Sequence, residues 1–469
     1  MFQINTNLIP PSPDTFIVGG TVRDIVLGKK PSDWDLVTLE NPESLARRIA
    51  GNSDGRLVEL GKPGKKIFRV ITSNRAAENL SDKRVIIDIS PVNGRTIYDD
   101  LAKRDFTINA MAIATDSGRL IDHHQGMEDL SRKTIRMIAR ENFCADPLRL
   151  LRAYRFAAVL NFAMDDDTSR AIRTEAFRVH EAAAERIRDE LFKLLTTPRA
   201  CWAMGMMTDT GLLDEIFPEL APLKHCSQNA YHQFDAFEHS MKAFDFLEKL
   251  LHGPESPPPG TEKIKPFLPL AAHFPLLKFS ILLHDIGKPA ARSTDEKGRI
   301  HFYGHEQPSA DMAKAITRRL RFSNHDLAYV DFIIRNHIRP LSLFIADSRQ
   351  RLPRKALARF FLQSGSLTRD LLVHTMADIH GKGIPENTRT FTEFIHKILV
   401  MHSDSFLPRK SSPPLITGND LIQVFKLKPS PQFAKILASI EEERLSGTIH
   451  TRAQALDQVK KIFHPEHRS

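Results

Sequence analysis

Residues 16–38 read FIVGGTVRDIVLGKKPSDWDLVT. A β-branched run, a glycine pair, a segment with helical spacing and a second apolar run follow one another, which predicts strand, helix, strand. If the second strand begins at Asp33, side chains two residues apart project from the same face, so Asp33 and Asp35 point together and Trp34 points away. The stretch therefore predicts two neighbouring carboxylates on one strand of a sheet.

These two carboxylates suit a divalent metal ion that also binds phosphate. Like charges held this close repel each other, and Mg²⁺ prefers oxygen ligands, commonly one or two carboxylates with substrate phosphates. A second ion about 3.5–4 Å away would activate a hydroxyl and steady a leaving phosphate. The Gly19-Gly20 turn leaves backbone room for phosphate at a helix start, where Arg23 is placed to meet a phosphate oxygen. Taken alone, aspartates at this spacing are common on surfaces and give a weak metal signal.

The composition is that of a globular protein with several domains. The chain has 469 residues, of which 41% are apolar and 26% charged, so two to four domains are expected. The formal charge of +9 suits a polyanionic partner such as nucleic acid, although a solvated basic surface has the same charge. Three cysteines without paired spacing, no signal-peptide pattern and no run long enough to cross a membrane together predict a cytoplasmic protein.

The predicted secondary structure changes near residue 120. Before that point, short β-branched runs alternate with helical patterns and with turns rich in Gly, Asn and Asp, which predicts a mixed α+β domain. After it, nearly every segment has helical period. The predicted strands are FIV at 16–18, WDLVT at 34–38, KIFRVI at 66–71, VIIDIS at 85–90 and MAIAT at 111–115.

The glycine pair, the Arg-Asp and the aspartate pair belong to one ordered set of motifs. GGxVRD followed by DxD closely resembles the family of tRNA CCA-adding enzymes and bacterial poly(A) polymerases. Four further stretches match that family in the same order. They are VIIDIS at 85–90, KRDFTINAMAI at 103–113, IDHHQGMEDL at 121–130 and ADPLRLLRAYRFAA at 145–158.

The resemblance implies roles for residues of the head. Asp33, Asp35 and a third carboxylate, Asp88, would be catalytic, and the first two would bind Mg²⁺. The other residues implied would bind the nucleotide near its triphosphate and ribose. These are Gly20, Arg23, Arg104, Asp105 and Asn109.

The last of the matching stretches carries a polar series on a predicted helix. At three-residue spacing Asp146, Arg149 and Arg152 share one face, with Arg155 a step further along. Aspartate accepts from an exocyclic amine and arginine donates to a ring acceptor, an edge that cytosine and adenine present and that uracil and guanine reverse. The Asp146–Arg149 pair would therefore select CTP and ATP, which is also the role that the resemblance implies. The other arginines would hold phosphates; the alternative is an arginine-rich helix paired with acidic neighbours.

A different chemical pattern lies in the second half of the chain. A histidine, an adjacent His-Asp pair and an aspartate follow one another at long spacings. This series resembles the HD phosphohydrolase domain, in which four such residues bind metal and a bound water attacks a phosphate ester. Imidazole and carboxylate together suit Mn²⁺, Fe²⁺, Co²⁺ or Ni²⁺ better than Mg²⁺. His305 and His337 are candidates for a second metal position or a phosphate contact, although single histidines are more often surface or capping residues. The series itself consists of His239, the adjacent His284 and Asp285, and Asp378.

Together the resemblances imply an α+β protein. Its N-terminal head would be a polymerase-β-like nucleotidyltransferase with a mixed sheet, followed by an all-helical neck and body and an all-helical HD domain. The expected bounds are 1–137 for the head, 138–224 for the nucleobase-recognition and neck region, 225–385 for the HD domain and 386–469 for a helical C-terminal region.

The leading hypothesis is a template-independent nucleotidyltransferase that adds C and A, or only the terminal A, to tRNA 3′ ends from CTP and ATP. The RNA 3′ hydroxyl attacks the α-phosphate in line and pyrophosphate leaves. Poly(A) tailing of RNA 3′ ends uses the same head, and a flexible segment at about 59–84 would help to separate the two. From another class comes an HD hydrolase whose head mainly binds RNA; a non-catalytic RNA scaffold is third.

Overall fold

The computed structural model describes residues 8–31, 33–62, 65–72, 85–227, 234–253, 257–383 and 385–463. The chain divides into two compact units, Met1–Pro218 and Glu219–Ser469. Across the described ranges, no helix combines the length and apolar character needed to cross a membrane.

A mixed sheet forms the body of the first unit. The strands are β1 Thr15–Val18, β2 Asp33–Thr38, β3 Arg56–Lys62, β4 Lys65–Ile71, β5 Ile86–Pro91, β6 Ala112–Ala114, β7 Leu120–Ile121, β8 Thr134–Ile135 and β9 Ala163–Met164. Seven of them pair in the order β3-β4-β5-β2-β1-β6-β7. β2 and β5 run parallel, and the other neighbours in this sheet are antiparallel. The mixed sheet and all five strands predicted from the sequence are confirmed.

The prediction of a flexible segment at about 59–84 is wrong for its first part. β3 and β4 pair as an antiparallel hairpin, and the rest of the segment, 73–84, lies outside the described residues. Side chains alternate along β4, so Phe68 and Val70 are buried while Arg69 is half-buried on the other face. This alternation fixes the register of the hairpin. Arg69 is the partner of Asp88 in the register of β4 and β5, so their side chains project from the same face of the sheet.

Helices surround this sheet and continue the first unit beyond it. They are α1 Gly20–Val26, α2 Pro42–Asn52, α3 Ile97–Ala102, α4 Gly126–Ser131, α5 Glu141–Ala145, α6 Leu148–Leu160, α7 Asp166–Glu175, α8 Ala184–Leu195, α9 Ala200–Asp209 and α10 Leu212–Ile216. α6 is the central helix, because it packs against both α8 and α9. Its Tyr154 is fully buried and its hydroxyl lies 2.6 Å from Thr210 Oγ1.

In the part that the structure describes, the regular elements of the second unit are helices apart from the short ladder of β10 Ser293–Thr294 and β11 Ile300–His301. Residues 275–283 of α12 are all buried, so this helix is surrounded by protein on every side and forms the centre of the unit. α11, α15 and α18 pack around it. The helices are α11 Ala236–His252, α12 Phe274–Leu283, α13 Lys288–Ala291, α14 Glu306–Arg319, α15 Asn324–Asn336, α16 Arg339–Ser348, α17 Arg354–Ser364, α18 Thr368–Gly381, α19 Pro385–Met401, α20 Leu407–Ser411, α21 Gly418–Phe425, α22 Gln432–Ser446 and α23 Arg452–Phe463.

Candidate active site and metal cluster

Gly19 forms the tight turn between β1 and α1. Its φ is +70°, a left-handed conformation that favours glycine. A Cβ at this position would lie 2.9 Å from Arg104 Nη1 and 3.6 Å from Asp35 Oδ2. The glycine therefore lets the backbone turn sharply and leaves room for an arginine and a carboxylate beside it.

Thr21 joins α1 to the strand that carries the aspartates. Its hydroxyl donates to the carbonyl oxygen of Asp33 at 3.1 Å and accepts from the backbone N–H of Asp35 at 3.0 Å. The side chain is buried. One hydroxyl thus fixes the backbone of both aspartates at the start of β2.

Asp88 lies beside Asp35, because the two are partners in the parallel register of β2 and β5. Both oxygens of Asp88 accept from Arg69, Nε to Oδ1 at 2.8 Å and Nη2 to Oδ2 at 2.7 Å. Burial raises the pKa of Asp35; Arg104 opposes this shift, and the nearby charges of Asp88 and Asp33 add to it. The structure therefore concentrates negative charge at this edge, and it partly neutralises Asp88 with an arginine.

A cleft of about 620 Å³ in the first unit brings the predicted nucleotide residues together. That volume lies in the range of small-molecule sites. Asp88, the predicted third catalytic carboxylate, does not line it. The lining residues are Gly19, Gly20, Arg23, Asp33, Asp35, Arg104, Asp105, Asn109, Asp146, Arg149, Arg152, Arg155, Phe156 and Lys193.

A hydrogen-bonded network organises one wall of this cleft. Asp105 Oδ2 accepts from Arg152 Nε at 2.9 Å, and its Oδ1 accepts from the Asn109 side-chain amide at 3.1 Å. Asn109 Oδ1 in turn accepts from Arg23 Nη1 at 2.9 Å. Burial alone would raise the pKa of Asp105, but the Arg152 charge and the Asn109 hydrogen bond lower it. Asp105 therefore holds Arg152, and through Asn109 it holds Arg23.

The prediction that Asp146 lies on a helix with the arginines is wrong. α5 ends before it and α6 begins after it, and Asp146 itself is extended, with φ −147° and ψ 92°. The physical reason is Pro147, because a residue before proline is disfavoured in the helical region. Asp146 still lines the same cleft as Arg149. Its carboxylate accepts from both terminal nitrogens of Arg186, at 3.1 and 2.9 Å.

Arg155 has an acidic partner and an aromatic neighbour. Its Nε donates to Glu190 of α8, and its guanidinium carbon lies 4.0 Å from the centroid of the Phe156 ring. Lys193 also contacts Glu190, at 3.1 Å. The sequence alternative of arginines paired with acidic neighbours thus describes real contacts here, and the same arginines also line the cleft.

The predicted HD residues converge inside the second unit. His239 Nε2 lies 2.9 Å from Asp378 Oδ1, and His284 Nε2 lies 3.2 Å from Asp285 Oδ2. His305 Nε2 lies 3.1 Å from Asp285 Oδ1. Three overlapping sets have ligand atoms within 4.8 Å of one another: His239, His284 and Asp285; His284, His337 and Asp378; Asp285, His305 and His337.

The histidines of this cluster are oriented by the backbone. In three of them Nδ1 lies 2.6–2.8 Å from the carbonyl oxygen three residues earlier, so Nδ1 donates to that oxygen and Nε2 is the nitrogen that faces the cluster and can act as a metal ligand. Such a set of imidazoles and carboxylates fits a transition metal. The three pairs are His284 with Ile281, His305 with Phe302, and His337 with Ile334.

Several residues at the two sites were not found from the sequence. Lys288 contacts Asp285 Oδ2 at 2.6 Å, and its three-residue spacing on LLHDIGKP was an available signal. His374 is fully buried, with its ring centroid 5.6 Å from that of His284. Arg69 and Arg186 pair with aspartates 19 and 40 residues away, and no local spacing indicates such partners.

Comparison with protein families matches four successive regions of the chain. Residues 15–136 match the poly A polymerase head domain, and 161–224 match the probable RNA and SrmB-binding site of polymerase A. Residues 237–360 match the HD domain, and 387–459 match the tRNA nucleotidyltransferase domain 2.

Similar proteins align with the chain over nearly its whole length. The CC-adding tRNA nucleotidyltransferase of Thermus thermophilus is 31% identical over 94% of this chain and 92% of that protein. The A-adding tRNA nucleotidyltransferase of Deinococcus radiodurans is 29% identical over 98% of each. A Thermotoga maritima CCA-adding enzyme complexed with tRNA shares the fold, with a TM-score of 0.60 and 20% identity over 96% of this chain and 91% of that one.

Proposed function

We propose a specific reaction for this chain, which belongs to the tRNA nucleotidyltransferase family. It transfers C and A from CTP and ATP to the 3′ end of tRNA without a nucleic-acid template. One observation carries this proposal: a single cleft holds the aspartate pair of β2, a group of arginines and the Asp146–Arg149 pair. Those are the parts that a nucleotidyl transfer needs for activation, for phosphate binding and for base choice.

The aspartate pair fits Mg²⁺. Asp33 and Asp35 line the cleft on one strand, and burial with neighbouring negative charge raises the pKa of Asp35. A divalent cation relieves that repulsion and, when bound, polarises phosphate oxygens as a Lewis acid. Both oxygens of Asp88 accept from Arg69, so we propose that this ion pair limits the repulsion between Asp88 and Asp35.

The remaining cleft residues orient the nucleotide. Arg23, Arg104 and Arg152 offer guanidinium donors to a triphosphate, and planar guanidinium groups suit phosphate oxygens. Asp146 accepts from the exocyclic amine of cytosine or adenine while Arg149 donates to the adjacent ring nitrogen. These contacts hold the α-phosphate where the RNA 3′ hydroxyl attacks it and pyrophosphate departs.

Primer extension on tRNA tests the reaction and its extent. The purified chain is given Mg²⁺ with CTP, ATP or both, and tRNA that ends before CCA, after C or after CC. Addition of C, C and A supports the complete reaction; addition of C alone or of a terminal A alone identifies a specialist. Long A tracts would replace the proposal with poly(A) tailing, and no addition to any ending would contradict it.

A second activity is proposed for the HD cluster, metal-dependent hydrolysis of phosphate esters. The observation behind it is the convergence of His239, His284, Asp285 and Asp378 in a buried cluster. His305 and His337 would complete a second position or contact phosphate. Mn²⁺, Ni²⁺, Co²⁺ or Fe²⁺ bound there would supply a water nucleophile, and Lys288 would steady Asp285.

Hydrolysis of a nucleoside 2′,3′-cyclic phosphate with Ni²⁺ or Mn²⁺ tests this second activity. We expect wild-type protein to hydrolyse it and His284→Ala to lose the activity. His325→Ala is the matched control, because His325 is 82% exposed and is not a member of the cluster. Equal hydrolysis by His284→Ala and wild type, or none by either, would contradict the proposal.

We also propose the four-part division 1–137, 138–224, 225–385 and 386–469. The four matched family regions support it, since each falls wholly within one part. We also propose that the protein works in the cytoplasm, which its proposed tRNA substrate supports. The helices of 386–469 are available for structural packing or for contact with the body of the tRNA.

A further inference from the structure

Asp146, the carboxylate proposed to recognise the base, forms an ion pair with an arginine of α8. Arg186 of α8 donates from Nη1 to Asp146 Oδ1 at 3.1 Å and from Nη2 to Oδ2 at 2.9 Å. This is a bidentate pair, which fixes the plane of the carboxylate as well as its position. Arg186 itself is 53% exposed, so this contact is not a consequence of core packing.

The pair leaves Asp146 able to accept from a nucleotide. A carboxylate has about four lone-pair sites, and a bidentate arginine occupies two of them. The remaining sites point in directions set by the orientation of the carboxylate plane. Asp146 lies between two helices in extended backbone, so no helical packing fixes that plane and Arg186 supplies the constraint.

Arg149, the second residue proposed to recognise the base, is also held by hydrogen bonds within the protein. Arg149 Nη1 donates to the carbonyl oxygen of Asn142 at 3.2 Å. The Asn142 side-chain amide donates to the carbonyl oxygens of Ala102 and Arg104, at 2.9 and 2.8 Å. Asp146 and Arg149 are therefore anchored separately, one to α8 and the other to the segment that carries Arg104.

Fixed orientation matters because residue type alone does not exclude the wrong bases. Uracil and guanine carry a ring N–H next to a carbonyl, and a carboxylate that turns can accept from that N–H while Arg149 donates to the carbonyl. A carboxylate held in one plane presents its free lone pairs only to an amine in the position it has in cytosine or adenine.

We propose that Arg186 is a positioning residue for base selection, acting through Asp146. This inference rests on the proposed function. Loss of Arg186 should leave the fold intact, since an exposed ion pair contributes little to stability. It should also lower the preference for CTP and ATP over UTP and GTP more than it lowers the turnover with the correct nucleotides.

The test measures affinities of the full-length chain for CTP, ATP, UTP and GTP by calorimetry, together with incorporation of each nucleotide into tRNA. In Arg186→Ala the preference for CTP and ATP should fall by about tenfold or more, the size of one bidentate recognition contact. Arg188→Ala is the matched control, because Arg188 lies on the same helix and pairs with its neighbour Asp189; its preference should equal that of wild type.

The outcomes separate this inference from the proposed function. If wild type binds CTP and ATP selectively, adds neither to tRNA, and Arg186→Ala loses the selectivity, the proposed function fails and the role of Arg186 stands. Selectivity unchanged in Arg186→Ala, an equal loss for all four nucleotides, or wild type without any selectivity would each overturn the inference.

Discussion

Gly19 lies close to the side chain of Arg104 in the lining of the cleft. Gly19→Ala adds a Cβ 2.9 Å from Arg104 Nη1 and imposes an alanine on a φ of +70°. Gly28→Ala is the matched control, because Gly28 has φ +69° and open space around it. We expect both variants to lose about 1 kcal/mol or more of stability, since alanine is strained at a positive φ, and Gly19→Ala to lose more of it because the ψ of Gly19 is −136°, outside the regions that alanine readily adopts. Only Gly19→Ala should also raise the KM for nucleotide, measured by steady-state incorporation; equal KM values would contradict the role of this contact.

Asp105 is a buried carboxylate in the cleft wall, where it pairs with Arg152. Its pKa is lowered by Arg152 and Asn109 against the effect of burial, so it stabilises the fold above its unfolded pKa of about 3.9. Asp105→Asn should cost about 2–4 kcal/mol at pH 7, since Arg152 loses its partner. The difference from wild type should shrink as pH falls below about 4, towards the lowered pKa. Urea unfolding across this range measures it, and the exposed pair variant Asp189→Asn should change little.

At the residue scale, the residues of the candidate sites were more predictable from the sequence than the residues that pair with them. Asp33 and Asp35 follow from the period of a strand, which is local. Arg69 and Arg186 meet their aspartates only through tertiary packing, and their own surroundings in sequence contain no such information. The three-residue spacing predicts Asp146 on a helix with the arginines, but Pro147 disfavours the helical conformation for the residue before it, a steric signal that the sequence contains.

At the element scale, α1 and β2 are joined at the catalytic edge by the Thr21 hydroxyl. Thr21→Val keeps the shape of the side chain but leaves the Asp35 N–H without its acceptor. We expect a loss of about 1–3 kcal/mol, the cost of an unsatisfied buried group, and a lower kcat because the aspartate backbone is no longer fixed. Thr21→Ser keeps the hydroxyl and should retain most of the activity. Unchanged kcat in Thr21→Val would contradict this role.

The longer elements were largely predictable, but β3 and the two-residue strands β7 to β11 were not. Five strands were identified from β-branched runs, and the helical half from its period. β3 is not predicted because LVEL and the Gly-Lys-Pro-Gly-Lys that follows it have no strong alternation, and its place in the sheet depends on pairing with β4. The same hairpin brings Arg69 to Asp88, so the missed strand and the missed partner have one cause.

At the scale of the whole molecule, the two candidate sites among the described residues lie in different compact units, the cleft in the first and the HD cluster in the second. The HD cluster is expected to exchange a proton for a metal ion. Burial would lower the pKa of His284, but Asp285 and Asp378 raise it to about 10, so the metal-free cluster holds a proton at pH 7 that a metal ion must displace. Affinity for Ni²⁺ or Mn²⁺ should therefore rise by about tenfold per pH unit between pH 6.5 and 8.5. Calorimetry in two buffers of different ionisation enthalpy measures the proton release, and its absence would contradict this account.

Nucleotide addition by a variant of the aspartate pair tests whether Asp33 and Asp35 catalyse the reaction in the cleft. Wild type, Asp33→Ala plus Asp35→Ala, and the exposed control Asp166→Ala plus Asp167→Ala are compared on tRNA lacking its 3′ end, with CTP, ATP and Mg²⁺. We predict that the first double variant loses at least about a thousandfold in rate, equivalent to about 4 kcal/mol of barrier, with its melting temperature and HD hydrolysis unchanged. The control should match wild type. Addition by Asp33→Ala plus Asp35→Ala within tenfold of the wild-type rate would contradict the account.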